Sequence, residues 1–124
     1  MPAMPARPAR IVIADDDPAI RDWLAIVLTD AGHTVHAARD GDEALALLRR
    51  HRPHLLITDH QMPGLIGTEL LAHMAATPAD ATPTLLISAV RSVPPAPPPP
   101  NRFLAKPFDL DDLLAAVAGL LAAN

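Results

Sequence analysis

Five short apolar runs, spaced by segments of helical period, constrain this chain more than any other feature. They are RIVIA at residues 10–14, HTVHA at 33–37, HLLIT at 54–58, TLLIS at 84–88 and RFLA at 102–105. Each is too short for a buried helix. Four are dense in Ile, Leu, Val or Phe, the pattern of a strand covered on both faces; HTVHA is the weaker one. Between the first two runs, Ile20, Leu24, Val27 and Leu28 fall on one helical face. Asp17 stands at the N-cap of that helix, Pro18 at its first position and Gly32 at its stop. Residues 40–50 (DGDEALALLRR) open acidic and close basic, as the helix dipole favours. Residues 67–76 read as a third helix. Residues 109–121 read as the last, with Leu110, Leu113, Leu114, Val117 and Leu121 on its apolar side. Strands alternating with amphipathic helices imply an α/β domain. Its expected form is a doubly wound, five-stranded parallel sheet of flavodoxin-like order 2-1-3-4-5 with right-handed crossovers. With 124 residues, one domain is expected over 10–124, preceded by a flexible Pro/Ala-rich tail at 1–9.

One crossover breaks the pattern. Six of the seven residues 94–100 are Pro. Proline costs a helix interior ~3 kcal/mol per position and pushes the residue before it toward extended backbone. The fourth helix is therefore expected to be replaced by a polyproline loop. Polyproline II rises ~3.1 Å per residue against ~1.5 Å for a helix, so a short linker suffices to recross the sheet.

The strand assignments also place the polar residues. Asp15 and Asp16 follow the first strand, Asp59 the third run, and Lys106 the fifth, while Ser88 ends the fourth. In a parallel sheet all strand C-termini share one edge, the edge at which open α/β folds bind ligands. Three carboxylates, a hydroxyl and an ammonium group should meet there. Carboxylates so crowded call for a hard divalent cation, and Mg²⁺ takes oxygen ligands and pairs with phosphate. A carboxylate beside such a cation can act as a nucleophile toward phosphorus, with Lys106 and the Ser88 hydroxyl binding phosphoryl oxygens.

The segments IVIADDDPAIR, LLITDHQMPGLIG, LLISA and FLAKPF, in this order over residues 10–121, resemble the receiver domain of two-component response regulators. The resemblance implies Asp59 as phosphoacceptor, with Ser88 and Lys106 binding the phosphoryl group. It implies Mg²⁺ held by Asp16 and Asp59 directly, by Asp15 through water, and by the Gln61 backbone carbonyl. Phe103 stands at the family's aromatic switch position, partnered by Ser88, and the Lys106–Pro107 bond is expected to be cis. His60 and Gln61, with Val90, sit where the family tunes phosphoryl lifetime. The implied partners are a histidine kinase or phosphotransfer protein and a downstream protein target. The altered crossover departs from the family at the face formed by the fourth helix, fifth strand and last helix, where typical receivers dimerise. A monomer, or a dimer through another face, is expected.

Other functions fit less well. A formal charge of −4 without a basic stripe argues against direct nucleic-acid binding. The absence of Cys excludes disulfides, thiolate metal sites and Cys nucleophiles. No run approaches the ~18 apolar residues of a membrane helix, and the start lacks a signal-peptide core, so a cytoplasmic protein is expected. His51 and His54 straddle a helix end and a strand start, a poor spacing for a metal. Trp23 is expected in packing. Asp15 and Asp17 form a D-x-D pair resembling haloacid-dehalogenase-type phosphatases, but Ala19 stands where those enzymes have Thr, so no enzyme acting on a separate substrate is expected. The alternative that remains is a receiver-like adaptor that works without phosphorylation.

Overall fold

The computed structural model describes residues 8–59, 82–88 and 102–122. Within them lie β1 (Arg10–Ala14), α1 (Pro18–Asp30), β2 (Thr34–Ala38), α2 (Gly41–His51), β3 (Leu55–Asp59), β4 (Thr84–Ser88), β5 (Arg102–Ala105) and α3 (Leu110–Ala122). The strands form one parallel sheet in the order β2-β1-β3-β4-β5, the doubly wound arrangement expected. The expected helix at 67–76, the polyproline crossover, His60, Gln61 and Val90 lie outside the described residues.

Period-two alternation divides β1 and β3 between two cores, and β4 adds to the first of them. Ile11 and Ile13, Leu55 and Ile57, and Leu85 and Ile87 point to the side where Leu24, Leu28, Leu113 and Val117 of α1 and α3 pack. Val12, Ala14 and Leu56 point to the other side, against Ala44 and Leu48 of α2. Burying each of the larger aliphatic side chains contributes about 1.5–3 kcal/mol, an upper estimate for an extended unfolded chain.

Local chemistry sets the helix ends. Asp17 Oδ1 accepts from the Ala19 N–H to open α1, and Gly32 closes it at φ 98°, where a side chain would be strained. Asp40 caps α2 by accepting from the Glu43 N–H. The end of α2 is less regular: Arg52, a non-glycine, adopts φ 46°. Its carbonyl accepts from Arg10 Nη2 and the His51 carbonyl from Arg10 Nε, so the first strand clamps this turn. Asp109 and Asp112 cap α3 reciprocally.

Two expectations need adjusting. Ala9 falls within the expected tail, yet it is buried; its N–H donates to His33 Nδ1 and its carbonyl accepts from the Thr34 N–H. These two bonds to the start of β2 extend the packed structure back to Ala9. On α3 the buried face is Leu113, Ala116, Val117 and Leu120, while Leu110 is 42% exposed. Leu110 sits in the first turn, before the helix has come down onto the sheet.

Candidate functional site

Register brings the strand ends level. Ala14 lies opposite Ala38 and Thr58, Asp59 opposite Ile87, and Ser88 opposite Ala105. Asp15, the residue after β1, extends the ladder by donating its N–H to the Ala38 carbonyl at 3.1 Å. Asp15, Asp16 and Asp59 each offer a carboxylate oxygen, and the three oxygens lie within 4.8 Å of one another. Among the described residues this is the one group of three or more His, Cys, Asp or Glu side chains close enough to share a cation. Asp15 and Asp59 are buried, whereas Asp16 is exposed, so the cluster opens to solvent on one side. Lys106, on the turn after β5, donates from Nζ to Asp59 Oδ2 at 3.2 Å and stands 3.9 Å from Asp15 Oδ2. The Lys106–Pro107 bond is cis. Ser88 closes β4 one register step from Lys106, and Phe103 is half-buried on β5.

Asp15 is the most constrained member. Its Oδ1 accepts from the Asp17 N–H at 2.9 Å, its carbonyl accepts from Arg21 Nη1 at 3.0 Å, and its Oδ2 is buried with no hydrogen-bond partner. Burial pushes its carboxyl pKa up. The Asp59 and Asp16 charges add to the rise, while the Asp17 N–H bond and Lys106 oppose it. A buried carboxylate oxygen without a hydrogen bond, facing two other carboxylates, is costly even with Lys106 nearby, and a divalent cation would relieve both the burial and the repulsion. The residues present therefore fit a Mg²⁺ ion: an all-oxygen donor set, one side open to water, and an orphaned oxygen aimed inward.

A family model for the response regulator receiver domain matches residues 11–118. The chain belongs to that family. Among relatives of this receiver domain, the response regulator MprA of Mycobacterium sp. (strain KMS) is 37% identical over 118 residues, 92% of this chain and 51% of the relative. MprA of Mycobacterium leprae (strain TN) is 38% identical over 116 residues, covering 90% of this chain and 50% of that one. The chain thus spans about half the length of the curated relatives it matches. Its fold is similar to the chemotaxis response regulator CheY4 of Vibrio cholerae, with TM-score 0.82, 29% identity, and coverage of 91% of this chain and 98% of that one. It is also similar to the response regulator TrrA of Thermotoga maritima, solved in complex with Mg²⁺–BeF, with TM-score 0.81, 28% identity, and coverage of 90% and 97%.

The residues singled out from the receiver motifs thus divide. Asp15, Asp16, Asp59 and Lys106 come together; Ser88 reaches the same edge by backbone register; Gln61 lies outside the described residues. His51 joins no such cluster; it stacks on His36 with ring centroids 3.7 Å apart, and burial, His36, Arg50 and Arg10 lower its pKa. His54 Nδ1 accepts from the Arg10 N–H. Trp23 is less buried than a packing residue, at 37% exposed. It meets Phe108 at a centroid distance of 6.1 Å, and with Ile20, Lys106 and Pro107 the two line a cavity of about 350 Å³ beside the site. Arg21 is the site neighbour that motif reading missed. Its sequence signals are its place at the end of the segment IVIADDDPAIR and on the first turns of α1, six residues after Asp15, from which a long side chain can fold back onto the preceding turn. No helix among the described residues is long and apolar enough to cross a membrane.

Proposed function

We propose that this receiver domain accepts a phosphoryl group on Asp59 from a phosphohistidine of a histidine kinase or phosphotransfer protein, in Mg²⁺-dependent two-component signalling. The observation that carries this is Asp59 itself: a buried strand-end carboxylate within 4.8 Å of two others and 3.2 Å from the Lys106 ammonium. An Asp59 carboxylate oxygen attacks phosphorus, a P–O bond forms, the donor's P–N bond breaks, and the leaving imidazole takes up a proton. Asp15, Asp16 and Asp59 would hold the cation, together with the Gln61 carbonyl. When bound, Mg²⁺ supplies neutralisation of phosphoryl charge. Lys106 already bridges Asp59 and Asp15, so its ammonium is positioned to follow negative charge onto a phosphoryl oxygen, and Ser88 supplies a hydroxyl to another. The domain turns over no separate substrate; its chemistry is gain and loss of phosphate at Asp59. It works in the cytoplasm through a downstream protein, without contacting nucleic acid itself. Because the sequence of the crossover before β5 carries six prolines among residues 94–100, it acts as a monomer or pairs through another face.

Intact-mass measurement with a small acyl or amido phosphodonor and Mg²⁺ tests this. One hydroxylamine-labile phosphoryl group is expected on the wild type and none on Asp59→Asn. The same labile gain in Asp59→Asn refutes the assignment. Stoichiometric signalling output from unphosphorylatable protein would favour the adaptor alternative.

A further inference from the structure

We infer that Arg21 is a positioning residue for the cation site, acting through the backbone of Asp15 rather than through its own charge. The inference rests on the reading of the acidic cluster as a Mg²⁺ site. Every polar handle of Asp15 except one is tied. The N–H is held by the Ala38 carbonyl, Oδ1 by the Asp17 N–H and the carbonyl oxygen by Arg21 Nη1, leaving Oδ2 aimed at the cluster. Arg21 is itself anchored, because its backbone N–H donates to the Asp17 carbonyl at 2.9 Å in the first turn of α1. The side chain thus closes a loop from the helix back onto the turn that precedes it.

The bond has a specific mechanical consequence. The Asp15 carbonyl belongs to the peptide plane that joins Asp15 to Asp16. Fixing that oxygen fixes the rotation of the plane, and so the direction in which Asp16 leaves the strand. Asp16 is exposed, and neighbouring packing does little to hold it. Its approach to within 4.8 Å of the other two carboxylates therefore depends on the plane that Arg21 holds. Charge is the weaker explanation: the charged groups that shift the Asp15 carboxyl are Asp59, Lys106 and Asp16. Groups that orient metal ligands from outside the coordination shell typically cost about 10–100-fold in affinity when removed.

The experiment is a Mn²⁺ titration followed by the free-ion electron paramagnetic resonance signal. It is run on wild type, Arg21→Ala, Arg21→Lys and Arg39→Ala, with helix content and melting temperature recorded in chelator. Arg39 is exposed and forms its ion pair with Glu43, so its removal is a control for lost positive charge. Arg21→Ala is expected to weaken Mn²⁺ about 10-fold with helix content retained. Arg21→Lys, which keeps an N–H donor, is expected to recover to within about threefold of wild type, and Arg39→Ala to match wild type, as expected for an orienting group. In phosphorylation assays Arg21→Ala should raise the half-saturating Mg²⁺ concentration while the plateau rate stays within about twofold, the signature of an orienting group outside the ligand shell. Wild-type affinity in Arg21→Ala overturns the inference. So does an equal loss in Arg39→Ala, which would reduce the effect to net charge, or a lysine variant as weak as the alanine one. Failure of the wild type itself to bind Mn²⁺ overturns the underlying reading of the acidic cluster instead.

Discussion

Replacing Asp15 with Asn removes a buried negative charge while keeping the shape of the side chain. The Asn carbonyl can still accept from the Asp17 N–H, and its amide replaces the Oδ2 that lacks a hydrogen bond with N–H donors facing the acceptor oxygens of Asp59 and Asp16. The Asp15 and Asp59 carboxylate oxygens lie within 4.8 Å of each other. At an effective dielectric near 20, a separation of at most that gives a repulsion of roughly 3.5 kcal/mol or more. Lys106 Nζ, 3.9 Å from Oδ2, supplies an attraction of roughly 4 kcal/mol at the same dielectric. Lys106 thus offsets much of the Asp59 repulsion without outweighing it, and Asp16 is exposed enough for solvent to screen it. What remains is the cost of a buried carboxylate oxygen without a hydrogen bond, about 1–3 kcal/mol. The Asn variant should therefore be more stable than wild type without metal, by about 1–2 kcal/mol, or roughly 4–8 °C in melting temperature for a domain of this length. The pH dependence should differ too. Because the folded-state pKa of Asp15 is raised above its ordinary 3.8, the folded state holds that proton more tightly than the unfolded chain. Its stabilising contribution is then full below pH 3.8 and is lost as pH rises through the raised value. The Asn variant should lack that decline. Added Mg²⁺ should stabilise wild type by mass action and the variant far less, narrowing or inverting the gap. Thermal and urea melts in chelator, from pH 4 upward, measure all of this. An Asn variant no more stable than wild type in chelator, or one with the same pH slope, would refute the idea that burial of the Asp15 charge is uncompensated.

Two further outcomes follow from single residues. Asp16→Ala should lose most Mn²⁺ affinity, since a largely hydrated site with few protein ligands depends on each of them; unchanged titration would place the cation elsewhere. His33 accepts the Ala9 N–H on Nδ1 and has a pKa lowered by burial, so the stability it supplies is full above pH 6.5 and is lost as pH falls below it. Nuclear magnetic resonance should find the His33 pKa below 6.5 and faster Ala9 amide exchange in acid; a pKa above 6.5 contradicts it.

Much of this domain is written locally. Runs such as RIVIA and TLLIS are apolar on both faces at period two, and that alone demands a sheet sandwiched between helix layers. Asp17, Gly32 and Asp40 act within a turn of their own positions, so the helix ends could be read from neighbours in sequence. Because parallel strands all end at one edge, knowing where each strand stops was enough to gather Asp15, Asp16, Asp59 and Lys106. Other features depend on contacts between residues far apart in the chain, which no local pattern encodes. Arg10 reaches more than 40 positions along the chain to clamp the left-handed end of α2 at Arg52. Leu110 leaves the apolar face of α3 because packing begins only at Leu113. The same holds within the site. Which Asp15 oxygen is bonded and which is stranded, and that Arg21 turns back to hold the Asp15 carbonyl, follow from how α1 seats against β1. The residue types and their edge were local information; the orientation of each carboxylate, on which its protonation and its grip on a cation depend, was decided by tertiary packing.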